Sequence, residues 1–168
     1  MTAPVGSHSF TTEESAAAEK RHTNIMNNVI CSTEGFSHVA GIDIVQLLSE
    51  SSNQKYSFIK DGERSQAWHA DGGWIFKNGE LVGVAECKYQ HTRQNACERA
   101  FRYLTVEKFR EEPRRIFLSC YGPGFENKNG AGSTGPMLDM ARNIGMSVHE
   151  NIDDASFRVH VLEWLGSL

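Results

Sequence analysis

Two strings of strand-forming residues, Trp74–Lys77 and Leu81–Tyr89, flank the dipeptide Asn78-Gly79. Around them stand residue types that do hydrolytic chemistry: Asp71 before the first string, Glu86 and Lys88 near the end of the second. Asn-Gly signals a hairpin because a type I′ turn needs positive φ at both central residues. A two-residue loop pairs positions whose numbers sum to 157, setting Lys77 against Glu80, Phe76 against Leu81 and Asp71 against Glu86. Directly opposed residues hold their Cβ atoms about 4.5–5.5 Å apart, and Glu86 and Lys88, two apart on a strand, share a face. Two carboxylates and an ammonium are thereby gathered at one strand end. Hard divalent cations such as Mg2+ take a pair of carboxylates and complete their shell with water and phosphate oxygens. A lysine beside such a metal orients or deprotonates a water for attack on phosphorus. Cys87 turns its side chain to the other face, leaving its backbone carbonyl as a further metal ligand. The plainer reading is a surface turn at Asp71 and a same-face ion pair between Glu86 and Lys88, worth little. The apolar neighbours Leu81, Val82, Val84 and Ala85 weigh against it, because burying charge among them is costly without metal or partners.

The order Asp71, then Glu86-Cys87-Lys88 closing an apolar strand, resembles the PD-(D/E)xK nuclease signature, with Ala70 where proline is usual. The flanking residues narrow this. Asp71-Gly72-Gly73, Ala85-Glu86-Cys87-Lys88-Tyr89-Gln90 and Asn95-Ala96-Cys97-Glu98-Arg99 resemble the EcoRI-like type II restriction endonucleases. There a G-N-A-x-E-R motif follows the catalytic strand. Here Gln94 replaces its glycine, and six residues separate Lys88 from Asn95, where larger relatives carry a long insertion. Ile116-Phe117-Leu118-Ser119-Cys120-Tyr121-Gly122 is similar to the family's next core strand and glycine. The resemblance implies Mg2+-dependent cleavage of double-stranded DNA at a short palindromic site, with an AATT-type core, leaving 5′-phosphate ends. Asp71 and Glu86 would be the metal-binding carboxylates, Lys88 the catalytic lysine, and Asn95, Ala96, Glu98 and Arg99 the base readers. A palindromic target implies a homodimer. The residue types suit those roles: Asn contacts adenine bidentately, Arg suits purine edges or phosphate, and Ala admits a thymine methyl. A helix starting near Asn95 also aims its positive N-terminus at DNA. Two alternatives stay open: a structure-directed nuclease of the same superfamily (a Holliday-junction resolvase or repair enzyme), and a non-catalytic DNA-binding domain.

The formal net charge of -4 argues against a polyanionic partner only as a whole-chain sum. Residues 88–115 hold 8 Lys+Arg against 4 Asp+Glu, whereas 1–87 hold 6 against 11 and 116–168 hold 3 against 6. Basic charge is thus concentrated just beyond the Glu86–Lys88 strand, where phosphate contacts supply affinity. Arg93 and Arg102 are candidates for such contacts. Arg114 and Arg115 read better as the end of a loop, Glu19 as a solvated helix charge rather than a metal ligand, and His69 and His91 as bystanders. The cysteines Cys31, Cys87, Cys97 and Cys120 form no C-x-x-C pair, and the histidines show no zinc spacing. With no basic head and apolar run at the N-terminus, reduced thiols and a cytoplasmic location are expected. The absence of any long apolar run excludes a membrane-spanning helix.

Positioning these residues requires strands and helices in alternation. A helix is expected from Thr12 to near Cys31, a short one over Asp43–Glu50, and a long one over Arg93–Glu112, stopped by Pro113. Phe101, Tyr103 and Phe109 form the core face of that long helix, and Trp74 and Phe76 face the core from the first hairpin strand. Arg115–Tyr121 reads as a buried strand, followed by a glycine-rich loop over Gly122–Gly135. The loop lacks phosphate-binding spacing. Helices over Thr134–Asn143 and Asp153–Leu165 enclose a short extended piece, Met146–His149. The pattern is α/β: one domain over 1–168, its first eleven residues poorly ordered, with a mixed central β-sheet flanked by helices. The resemblance makes that architecture restriction-endonuclease-like.

Overall fold

The computed structural model describes residues 12–39, 72–89, 98–126 and 134–168. Asp43–Glu50, Asp71, His69, His91, Arg93, Gln94, Asn95, Ala96 and the first eleven residues lie outside them. Helix α1 (Thr12–Cys31) occupies the expected span. It buries His22, Ile25, Met26, Val29 and Ile30, the i, i+3, i+4, i+7, i+8 stripe of a helix packed on one side. Among the described residues five strands follow: β1 (Phe36–Val39), β2 (Gly73–Lys77), β3 (Glu80–Tyr89), β4 (Ile116–Tyr121) and β5 (Ser147–Glu150). They form one mixed sheet in sequence order, antiparallel from β1 to β3 and parallel from β3 to β5. β1 was not expected; its four residues are too few to show a periodicity.

All six residues of β4 are buried, as befits a parallel strand covered on both faces. On one face α1 meets α6 (Asp154–Ser167), which buries Phe157, Val161, Trp164 and Leu165 over Ile75, Ala85, Cys87 and Phe117. The other face carries α2 (Glu98–Arg102), α3 (Glu107–Glu111) and α5 (Thr134–Asn143), which enclose Trp74, Val84, Tyr103, Val106, Phe109, Ile116, Leu118 and Leu138. A short helix, α4 (Pro123–Glu126), opens the glycine-rich loop. Asp153 caps α6 by accepting from the Ser156 backbone N–H at 2.9 Å.

The hairpin forms as expected at its tip and differs further along. Asn78 and Gly79 take φ of 51° and 82°, and Lys77 pairs with Glu80 and Phe76 with Leu81. A bulge between Ile75 and Phe76 then shifts the register, so Ile75 pairs with Gly83, Trp74 with Val84 and Gly73 with Ala85. Partner numbers now sum to 158 over Gly73–Ile75, so the constant sum of 157 from which Asp71 was set against Glu86 is not kept along the described part of β2. The cause is one extra residue on β3. Val82 and Ala85 pack on the α1–α6 side, while Leu81 and Val84, three apart, both pack on the α2–α3 side.

The long helix over Arg93–Glu112 is also corrected within the described residues. α2 passes into a 3-10 turn at Tyr103–Thr105, Val106 is extended at φ -76° and ψ 119°, and α3 restarts at Glu107. Ala100, Tyr103, Val106 and Phe109 are all buried, a strict spacing of three. On a straight α-helix that spacing drifts by about 180° over nine residues, so one core can receive all four only if the helix breaks.

Candidate active site

β3 carries Glu86 and Lys88 on the α2–α3 side, and the bulge decides this. Strict alternation from Leu81 would have turned both toward α1 and α6. The extra residue resets the phase and aims Glu86 at the segment joining α2 to α3. There the Tyr103 hydroxyl donates to Glu86 Oε2 at 2.5 Å. Lys88 Nζ meets Glu86 Oε1 at 3.1 Å, with the Glu86 side chain fully buried and Lys88 14 % exposed. Tyr103 is itself held by the Trp74 ring, which meets it edge-on at 5.3 Å between centroids. A buried carboxylate is costly unless paired and hydrogen-bonded. Tyr103 supplies the hydrogen bond at Oε2 and Lys88 the opposite charge at Oε1, where the contact is an ion pair and not a hydrogen bond.

Tyr103 is the site residue that sequence reading assigned only to packing. Its signal was available: a tyrosine needs a partner for its hydroxyl when buried, and a carboxylate in an apolar strand needs a donor. What spacing could not supply was the bulge and the helix break that bring the two together.

Cys87 points to the opposite face and is buried. Burial, and then the Glu86 charge, push its thiol far above its ordinary range, so no thiolate ligand is to be had from it. Its backbone lies on the β3–β4 ladder opposite Ser119. Among the described residues no group of three or more His, Cys, Asp and Glu is placed to hold a metal, and Asp71, the second carboxylate of the expected set, lies outside them. Among the described residues the ligand type a hard cation takes is the Glu86 carboxylate, which Tyr103 and Lys88 engage at its two oxygens.

Of the base-reading and phosphate-contact candidates, Glu98 and Arg99 fall in α2, and exposed Arg102 ends it, one residue before Tyr103. Much of the basic stretch is used internally. Lys108 pairs with Glu80 and donates to the Leu81 carbonyl at 2.9 Å. Arg115 pairs with Glu112 at 2.9 Å and donates to the Val82 carbonyl at 3.1 Å, while Arg114 pairs with Glu112 at 2.6 Å. Arg114 and Arg115 are loop-end tethers, as expected.

A second polar cluster lies across the sheet. His22 Nδ1 and Ser119 Oγ are 2.7 Å apart, and His22 Nε2 is 3.8 Å from Asp154 Oδ1. The residue types are those of a hydrolytic triad, but His22 and Ser119 are both fully buried and no substrate carbonyl can reach the hydroxyl. His22 lies stacked between Tyr121 and Phe157 at 3.9 and 4.1 Å. Burial, then the Arg21 charge, lower its pKa to about 4, so it is a neutral core histidine that satisfies the one polar side chain in β4's buried middle.

No protein-family model, curated protein or solved structure matches this chain.

Proposed function

We propose that the chain is a Mg2+-dependent endonuclease acting on double-stranded DNA, of the PD-(D/E)xK kind and similar to the EcoRI-like type II restriction enzymes. The observation that carries the reading is the Glu86–Lys88 pair. It lies buried on one face at the end of an apolar parallel strand, with Tyr103 holding the far carboxylate oxygen. A merely solvated ion pair needs neither the bulge nor the tyrosine. In this reading Asp71 and Glu86 hold the metal, with the Cys87 carbonyl available to it. When bound, Mg2+ supplies a Lewis acid for the phosphoryl oxygens and lowers the pKa of a bound water. Lys88 places its ammonium at the mouth of the site, where it orients the attacking water and steadies charge gathering on the phosphate. Tyr103 fixes the Glu86 rotamer, and its exposed neighbour Arg102 is assigned to a phosphate. Asn95, Ala96, Glu98 and Arg99 are assigned to base edges and Arg93 to the backbone, with a homodimer matching a palindromic target.

The test is plasmid and linear duplex DNA incubated with Mg2+. Discrete fragments are expected, and Asp71→Ala, Glu86→Ala and Lys88→Ala should each abolish them. Normal cutting by these variants would sink the active-site assignment. Cleavage confined to junctions, mismatches or ends would select a structure-directed nuclease, and metal-independent binding without nicking a DNA-binding domain.

A further inference from the structure

The carboxyl ends of β3 and β4 carry a second recess, on the opposite face of the sheet from Glu86 and Lys88. Tyr89 and Tyr121 end the two strands as register partners, and both pack on the α1–α6 side. Beside them lies a cavity of about 400 Å³, walled further by Ala18 and Arg21 of α1, Pro123 of α4 and the turn at Asn151. Open α/β sheets take ligands at this edge, outside the carboxyl ends of their parallel strands.

The broad walls are flat. The half-buried Tyr89 ring is tilted against Tyr121 at 5.4 Å between centroids. Tyr121 is fixed by donating its hydroxyl to the Ala18 carbonyl at 2.7 Å, and the Arg21 guanidinium lies 5.2 Å above its ring. Arg21 is 47 % exposed and is held to Asp154 through Nε at 3.0 Å. Aromatic rings and guanidinium planes are the surfaces on which unpaired bases stack. The polar edge belongs to Asn151, in the left-handed region at φ 44°. Its backbone N–H donates to the Cys120 carbonyl at 2.8 Å, and its Oδ1 accepts from the Gly122 N–H at 3.0 Å. An amide whose oxygen is engaged in this way turns its Nδ2 to an acceptor. Asp153, the acid in the wall, engages both oxygens with Ser156, at 2.9 Å to its N–H and 3.0 Å to its hydroxyl. The recess therefore offers donors, from Arg21 and Asn151, to a flat occupant that accepts.

We propose that this recess binds an unpaired nucleobase bearing a ring carbonyl, thymine or guanine rather than adenine, which has none. The choice of ligand rests on the nuclease reading. Tyr89 directly follows Lys88, so a strand whose phosphate meets Lys88 has the recess one residue away across the sheet edge. A base paired within the duplex is stacked and cannot enter, whereas one taken out of the stack can.

The experiment is fluorescence anisotropy of the full chain on labelled duplexes in EDTA, so that nothing is cut. A fully paired duplex is compared with the same duplex carrying one bulged thymine or one bulged adenine. The thymine bulge is expected to bind about tenfold tighter than the paired duplex, and the adenine bulge less tightly than thymine. Tyr89→Ala should erase the preference, and Tyr89→Phe, which keeps the ring, should retain it. Thymidine titrated alone and followed through the tyrosine ring resonances separates the sources. A response to thymidine without any bulge preference would keep the site and assign it to the free nucleoside. No bulge preference and no response to thymidine, a preference that survives Tyr89→Ala, or an adenine bulge held as tightly as thymine would overturn the proposal. Base binding without cleavage under Mg2+ would sink only the nuclease, and cleavage by a chain indifferent to bulges and thymidine only the recess.

Discussion

Replacing Tyr103 by Phe removes one hydroxyl and leaves the buried Glu86 carboxylate with one donor fewer. A hydrogen bond to a charged group contributes roughly 1.5–3 kcal/mol, and that loss of stability should appear in urea denaturation. In the nuclease reading the same variant needs more Mg2+ for half-maximal cutting, because the carboxylate is no longer held in one rotamer. Loss of stability with an unchanged Mg2+ requirement would make Tyr103 a packing residue only. His22 gives a second prediction at this scale. Its folded pKa, about 4, lies below the ordinary 6.5, so the unfolded chain takes up the proton first as pH falls. Stability is full above about pH 6.5 and declines toward pH 4, by roughly 3 kcal/mol if that one group governs. His149, lowered to about 4 chiefly by burial, adds in the same direction and window. Denaturation midpoints between pH 7 and 4 check this, and His22→Leu should flatten the slope.

At the scale of elements, the β2–β3 hairpin is the device that makes the site. Its bulge aims Glu86 and Lys88, and its open end is closed by Gly72, whose backbone N–H donates to the Ala85 carbonyl at 2.9 Å. A Cβ on Gly72 would lie 2.7 Å from the carbonyl carbon and oxygen of Ala85, so the two backbones must part to admit one. Gly72→Ala is therefore expected to destabilise the fold and, in the nuclease reading, to abolish cleavage. A thermal melt beside the plasmid assay reads both, and a variant that melts and cuts normally would contradict the close approach. Much of this level was legible beforehand. α1 and α5 stand where helix formers put them, because local propensity and one-sided burial agree there. The helix break at Val106 and the bulge were not legible. Each is a compromise between local periodicity and a core that only the folded chain assembles.

For the whole molecule, the nuclease reading raises the question of how an acidic chain would hold DNA. Of the 8 Lys+Arg in residues 88–115, Lys88, Lys108, Arg114 and Arg115 pair with Glu86, Glu80 and Glu112, so half of that basic charge is already engaged within the chain. Each phosphate neutralised contributes about -0.9 to the slope of log K against log salt on duplex DNA. A shallow slope is expected, and Arg102→Ala should reduce it by about one contact while weakening all sequences equally. A loss confined to one target sequence would assign Arg102 to base readout instead.

By itself the sequence determined the α/β class, the tip of the hairpin, the helices of one-sided apolarity and the shared face of Glu86 and Lys88. All of these follow from spacing along one segment, where chain geometry alone decides who neighbours whom. Tertiary structure decided which face that is, which tyrosine holds the carboxylate, and which of the arginines are spent on the chain's own carbonyls and carboxylates. Those depend on an extra residue in one strand and a break in one helix, and both arise where distant segments compete for the same buried volume.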